Sequence, residues 1–245
     1  MSKTHSIIIG GTQGMGLALG RAWAAKGHAV TAVGLAKPTS RVRGIDWVVC
    51  DLGRQAEAAS LLKRAVAARG PVGNLALFQR FRGEGDPWQG EIDASLTVSR
   101  FVIETLAPSF DRRRGGSIVA VASVASFLVA EDQPVGYHVA KAGLVQMVRY
   151  YAVKLGPRGI RVNAVSSGPV VKDESRAFYR KNPDLPRLFR KITPLGRMGE
   201  AADVVGVVDL LCSEGASFVT GQEIVVDGGL TLRWHGAVAG GVIAK

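Results

Sequence analysis

Residues 6–16 read Ser-Ile-Ile-Ile-Gly-Gly-Thr-Gln-Gly-Met-Gly: an apolar run, then a turn built on Gly10, Gly11, Gly14 and Gly16, with Thr12, Gln13 and Met15 between them. The run Ser6–Gly10 is short, apolar and closed by glycine, which predicts a buried strand. Met15–Lys26 has helical periodicity, and Gly27 stops it. Glycine permits positive φ and lets a ligand approach the backbone closely. The free N–H groups at a helix start, with the helix dipole, attract pyrophosphate. Strand, glycine-rich turn and helix in that order predict a dinucleotide site at the first strand–helix junction, formed by Gly10, Thr12, Gln13, Gly14, Met15 and Gly16.

Outward from that turn, strand and helix patterns alternate. Further strands are expected at Ala29–Val33, Asp46–Cys50, Asn74–Phe78, Ser117–Ala122, Ile160–Val165 and Glu223–Val226. Helices are expected at Arg54–Arg69, Gly90–Phe110, Tyr137–Leu155 and Glu200–Cys212. Apolar strands separated by helices predict a parallel seven-stranded sheet covered on both faces. With right-handed crossovers this is a doubly wound, Rossmann-like three-layer α/β/α fold. No change of composition divides the chain, so residues 1–245 form one domain. Lys172–Ile192 breaks the rhythm with Arg176, Arg180, Lys181, Arg187, Arg190, Lys191 and two prolines. It falls at the carboxyl end of the sheet, where a lid over a substrate is expected.

Composition narrows the function. The chain has 245 residues, of which 47% are hydrophobic, enough for a substantial core. The short polar stretch before Ser6 leaves no room for a signal peptide, and no apolar run is long enough to span a membrane. The two cysteines, Cys50 and Cys212, lie in apolar segments and read as buried free thiols, suited to a cytoplasmic protein. No cluster has metal-ligand spacing. The net charge of +11 suits an anionic cofactor or substrate, an acidic partner, or simply a solvated basic surface. Only 7% of residues are aromatic and no basic–aromatic stripe occurs, which argues against nucleic acid.

An acidic residue closing the second strand would bond the adenosine ribose and select NAD(H). Here the strand runs into Gly34 and Leu35 without a carboxylate, and Lys37, Arg41 and Arg43 follow. This pattern favours a 2′-phosphate, hence NADP(H), with NAD(H) as the alternative. Asp51, after the third strand, could accept a hydrogen bond from the adenine amino group or cap the helix starting near Arg54.

Tyr137 and Lys141 are four residues apart, and Tyr137 follows Ser123 by fourteen. Four residues make about one helical turn, so phenol and ammonium share a face. A nearby positive charge favours the phenolate, which makes the phenol a usable proton donor or acceptor. His138 faces away from that stripe and reads as structural.

Seven stretches together carry a family resemblance: IGGTQGMG (9–16), CDL (50–52), GGSIVAVASVAS (115–126), YHVAK (137–141), IRVNAVSSGP (160–169), PLGRMGEAADV (194–204) and FVTGQEIVVDGG (218–229). In this order they resemble the compact, single-domain short-chain dehydrogenases/reductases. The resemblance implies hydride transfer between a nicotinamide cofactor and a ketone, aldehyde or alcohol. It implies Tyr137 as acid or base, Lys141 as its electrostatic partner and ribose ligand, and Ser123 as the group that polarises the substrate oxygen. Gly168, Pro169 and Val170 would lie beside the nicotinamide, and Asp51 and Leu52 beside the adenine. Ser126 would make a local hydrogen bond. A homotetramer built on the long helices and last strand is implied, a dimer being the alternative.

Departures accompany the match. Relatives carry Asn-Asn-Ala-Gly after the fourth strand; this chain has Phe78-Gln79-Arg80-Phe81, so Phe78 and Gln79 would meet the adenosine instead. The helix asparagine that supports a water-relayed proton path is replaced by Ser95. Lys172 stands where a threonine is common, and the tail Leu230–Lys245 is extended, to cover a substrate pocket, reach a neighbouring subunit or fray in solvent. The altered positions leave a second reading, a non-catalytic NADP-binding sensor on the same fold. Arg80, Arg82 and Arg112–Arg114 leave a third, an anionic or carrier-bound substrate.

Overall fold

The computed structural model describes residues 3–38, 42–111 and 113–234. Strand β1 (His5–Ile9) is buried along its whole length, and the chain then turns at Gly10 into helix α1 (Gly14–Ala25). Strands β2 (Ala29–Gly34) and β3 (Ile45–Val49), helix α2 (Gln55–Arg69) and strand β4 (Val72–Leu77) follow. Helix α3 (Pro87–Glu91) runs through a wide π turn, Ile92–Thr97, into α4 (Val98–Leu106). Strand β5 (Gly116–Ser123), helix α5 (Val135–Leu155) and strand β6 (Ile160–Ser167) come next. Two short strands, β7 (Val170–Val171) and β8 (Gly199–Glu200), bracket helices α6 (Arg176–Lys181) and α7 (Asp184–Ile192). Helix α8 (Ala201–Cys212) and strand β9 (Glu223–Val226) complete the core.

Seven strands form one sheet in the order β3-β2-β1-β4-β5-β6-β9. Every pairing in it is parallel. The order reverses between β1 and β4, which opens a crevice at their carboxyl ends. Strands that bury both faces carry continuous aliphatic runs rather than alternation, as Ile7, Ile8 and Ile9 do here, all fully buried. Ile7 and Ile9 belong to the layer under α2, α4 and α5; Ile8 points to the opposite layer, under α1 and α8. That second layer is tied by Trp23, fully buried, whose indole N–H donates to Asp209 at 3.0 Å.

Two expectations need correction, and a further segment proves helical. Helix material begins at Pro87, earlier than expected, because the Asp86 carboxylate accepts the N–H groups of Trp88 and Gln89. The segment 172–192 is folded into α6 and α7; Pro186 falls in the first turn of α7, where no internal hydrogen bond is lost. Cys50 is buried, but Cys212 is only partly so, and both thiols are free.

Candidate active site and cofactor cleft

The glycine turn has the geometry its sequence promised. Gly10 and Gly14 adopt φ of 73° and 54°, and a side chain on Gly10 would press into the backbone of Phe78 and Gln79. A side chain on Gly16 would run into the Gly10 carbonyl. The N-cap residue of α1, Gln13, makes no side-chain cap, and the first turn of α1 holds no acidic residue. The first N–H groups of α1 therefore lack a capping side chain, which suits an anion. One group already approaches that place: the Glu174 carboxylate lies 2.7 Å from where a Cβ on Gly14 would be, tethered to Arg82 at 3.4 Å.

Around this turn lie the other residues expected to meet a cofactor. Thr12 packs over Gly34 at the end of β2, and Leu35 is 76% exposed beyond it. Lys37 and Arg43 are exposed nearby, whereas Arg41 lies outside the described residues. Leu52 is buried, while Asp51 is exposed. Asp51 accepts the Gly53 N–H at 2.9 Å, so it braces the turn before α2 rather than capping the helix. Phe78 continues β4 by donating its N–H to Ile9 at 2.8 Å and packs with the α1 layer. Gln79 donates through Nε2 to Ser99 at 2.7 Å, yet its Oε1 is buried without a partner. A buried carbonyl oxygen left so is costly unless a ligand donor meets it. Positive-φ glycines, uncapped helix N–H groups and this orphaned oxygen, all at the sheet's switch point, fit a dinucleotide.

The opposite wall carries the titratable groups. Ser123 closes β5 and accepts the Ala125 N–H at 3.2 Å, which leaves its hydroxyl proton available. Lys141 is 3% exposed on α5 and donates to the Val121 carbonyl, two residues before Ser123, at 3.1 Å. Its Nζ lies 5.6 Å from the Tyr137 ring centroid. Burial pushes the Lys141 ammonium down to about 8; Glu91 opposes this, while Arg80 and Lys172 add to it. Lys172 is likewise held below its usual range by burial and by Arg82 and Arg80, with Glu174 opposing. Arg80 places its guanidinium carbon 5.0 Å from the Tyr137 ring centroid. Gly168 donates to Val226 at 3.0 Å, and Val170 pairs with Gly199, which brings Gly168, Pro169 and Val170 to the carboxyl edge of β6.

A family model described as Enoyl-(Acyl carrier protein) reductase matches residues 10–231. The chain is a short-chain dehydrogenase/reductase. It is 29% identical to Dehydrogenase/reductase SDR family member 4 of Rattus norvegicus, over 95% of this chain and 89% of that protein. It is 30% identical to the Probable galactose dehydrogenase GalD of Rhizobium meliloti (strain 1021), over 91% of this chain and 93% of that one. A short-chain dehydrogenase/reductase oxidoreductase from Burkholderia thailandensis superposes with a TM-score of 0.83 at 27% identity, covering 100% of this chain and 99% of the other. An oxidoreductase family that uses nicotinamide dinucleotides is thereby established for this chain.

Ser95 lies in the π turn, fully buried, and donates to Glu91 at 3.3 Å. Glu91 itself is 2% exposed. Sequence reading missed Glu91; its one signal was a carboxylate between Trp88 and Ile92, one turn ahead of Ser95. It also missed the approach of Arg80 to Tyr137. Ser126 donates to Glu223 on β9 at 2.8 Å, a bond across the fold rather than a local one. His138 is structural, accepting the Ala130 N–H at 2.9 Å. Arg233 ties the tail to the end of α7 through the Lys191 and Ile192 carbonyls; residues 235–245, and Arg112, lie outside the described residues. Among the described residues no helix is long and apolar enough to cross a membrane, and no group of metal-ligating side chains occurs.

Proposed function

We propose that this short-chain dehydrogenase/reductase reduces a ketone or aldehyde with NADPH, or runs the reverse alcohol oxidation, with Tyr137 as acid and base. The observation that carries the reading is the buried Lys141 ammonium under the Tyr137 ring, fixed to β5 two residues before Ser123. The nicotinamide, when bound, supplies or accepts the hydride. The glycine turn and the start of α1 hold the cofactor's pyrophosphate, Gln79 offers its orphaned Oε1 to a donor on the adenosine, and Gly168–Val170 flank the nicotinamide ring. Ser123 donates to the substrate carbonyl oxygen. Tyr137 gives that oxygen a proton in reduction and takes it back in oxidation. Lys141 Nζ, 5.6 Å from the ring centroid, places a positive charge beside the group that exchanges the proton.

NADP(H) is favoured over NAD(H) because β2 ends without a carboxylate while Lys37 and Arg43 stand beyond it. Arg80, Arg82 and Lys172 around the pocket favour a substrate bearing an anionic group, free or on an acidic carrier. The helices α6 and α7 form the lid over it. Exposed Val139, Tyr150 and Val153 on α5 and Ile224 and Val225 on β9 favour a homotetramer. The test is Tyr137→Phe: NADPH binding persists, and turnover on a carbonyl panel falls to background. Unchanged turnover overturns the assignment, and tight NADPH binding by the parent with no turnover on any carbonyl favours the sensor reading.

A further inference from the structure

A carboxylate that is 2% exposed, on a helix that packs against the one carrying Lys141, calls for a physical reason. Glu91 closes α3, and the chain then widens into the π turn Ile92–Thr97. Such turns re-aim side chains and concentrate at functional sites. Here Ser95, four residues on, donates its hydroxyl to Glu91 Oε2 at 3.3 Å. Helix α3 reaches α5 closely because Gly136 has no side chain: a Cβ there would stand 2.8 Å from the Trp88 Cα. Trp88 lies three residues before Glu91, and Gly136 lies one before Tyr137, so this contact sets Glu91 beside the Tyr137–Lys141 turn. The charges facing Lys141 there are Glu91 from α3, Arg80 from the loop after β4, and Lys172 from beyond β7. Two of the three are cations. Glu91 is the one anion among them, and a buried ammonium without an opposing charge is strongly disfavoured.

We propose that Glu91 is a positioning residue of the catalytic centre, which together with Ser95 keeps Lys141 charged and oriented under Tyr137. The inference rests on the acid–base reading of Tyr137 and assigns a task to the Glu91–Ser95 pair. The Ser95 hydroxyl bonds Glu91, and the Lys141 ammonium bonds the Val121 carbonyl. The hydroxyl fixes the carboxylate, and the carboxylate acts on the lysine.

The experiment compares Glu91→Gln, which keeps shape and the Ser95 bond but drops the charge, with Glu91→Asp. In the parent, Lys141 carries its proton up to about pH 8. Removing the anion lets that proton leave at lower pH, so the alkaline limb of the reduction profile should move acidward by about half a unit or more. The kcat of Glu91→Gln should fall about tenfold with KM and NADPH affinity unchanged, and Glu91→Asp should restore part of it. A readout free of turnover uses the apo protein: Glu91→Gln should lower unfolding stability in the parent and raise it in the Lys141→Met background, where the carboxylate has lost its counter-charge. An unmoved limb with parental kcat, or equal stability changes in both backgrounds, overturns the proposal. Failure of the Tyr137 assignment appears separately, as turnover that survives Tyr137→Phe.

Discussion

The guanidinium carbon of Arg80 stands 5.0 Å from the Tyr137 ring centroid, and Lys141 Nζ stands 5.6 Å from the same point. Two cations thus share one aromatic ring. Arg80 has no carboxylate partner among the described residues; its hydrogen bond is a long one to the Phe81 carbonyl at 3.4 Å. A guanidinium held this way is poised to receive an anion from outside the protein. Arg80→Ala should therefore raise KM about tenfold for a carbonyl compound bearing a carboxylate, the worth of one charge-assisted hydrogen bond. A neutral carbonyl of the same size should be little affected. If instead both substrates weaken equally and NADPH binding falls with them, Arg80 serves the cofactor. Paired KM measurements with separate cofactor titration distinguish the outcomes, and the carboxylate preference should fade at high salt.

Glu174 lies against Gly14 with its charge where the cofactor pyrophosphate is proposed to sit. A carboxylate at an uncapped helix start is held favourably while the turn is empty and repels a phosphate that comes to the same place. Glu174→Ala should tighten NADPH binding by up to about fivefold, the scale of a partly exposed charge interaction. Binding titrations at low salt show it best. Weaker binding in this variant would mean that Glu174 helps order the lid, through Arg82, more than it competes.

Much of this geometry was legible beforehand, for identifiable reasons. Strand β9 occupies Glu223–Val226, the bounds its pattern predicts, because an apolar run between Gly221 and Gly228 has few alternatives. Helix α5 begins two residues before Tyr137, since Pro134 at its N-cap is preset for entry. The glycine turn was equally readable, as backbone approach leaves glycine as the residue that fits. The lid was not. Helices α6 and α7 carry no buried residue; Leu185, Leu188, Phe189 and Ile192 do form an apolar stripe on α7, but it is short and set among charges and two prolines. Arg80 was visible only as a mismatch with relatives, because its partner, Tyr137, is 57 positions away. Glu91 gave no local signal of its burial, which goes with the close contact of α3 and α5 at Gly136.

Lys141 links the site to stability. Its ammonium is pushed from its ordinary 10.5 down to about 8 in the folded chain. Between those values the unfolded chain binds a proton that the native chain has released. Stability from this group therefore rises as pH increases from about 8 to about 10.5, and the burial penalty is fully felt below that window. The whole contribution is on the order of 3 kcal/mol. Chemical denaturation of the apo protein and of Lys141→Met across this range should give a difference curve with that slope. A flat difference would mean that Lys141 keeps its proton throughout, held by Glu91 more strongly than burial opposes it.

Cofactor choice turns on one exposed position. Leu35 follows Gly34 at the end of β2 and is 76% exposed, beside the Thr12 side chain that packs over Gly34. A carboxylate there would accept hydrogen bonds from the adenosine ribose hydroxyls of NAD(H) and repel a 2′-phosphate. Leu35 contributes neither, and Lys37 stands two residues on. Leu35→Asp should shift the ratio of kcat/KM values from NADPH toward NADH by about a hundredfold, combining a gained charge-assisted bond with a like-charge penalty. Lys37→Ala alone should weaken NADPH and leave NADH nearly unchanged, because only the phosphate feels the lysine. The folded core should tolerate both, since each side chain is exposed. If Leu35→Asp weakens both cofactors alike, the adenosine end binds away from β2 and the NADP(H) preference must be sought elsewhere in the cleft.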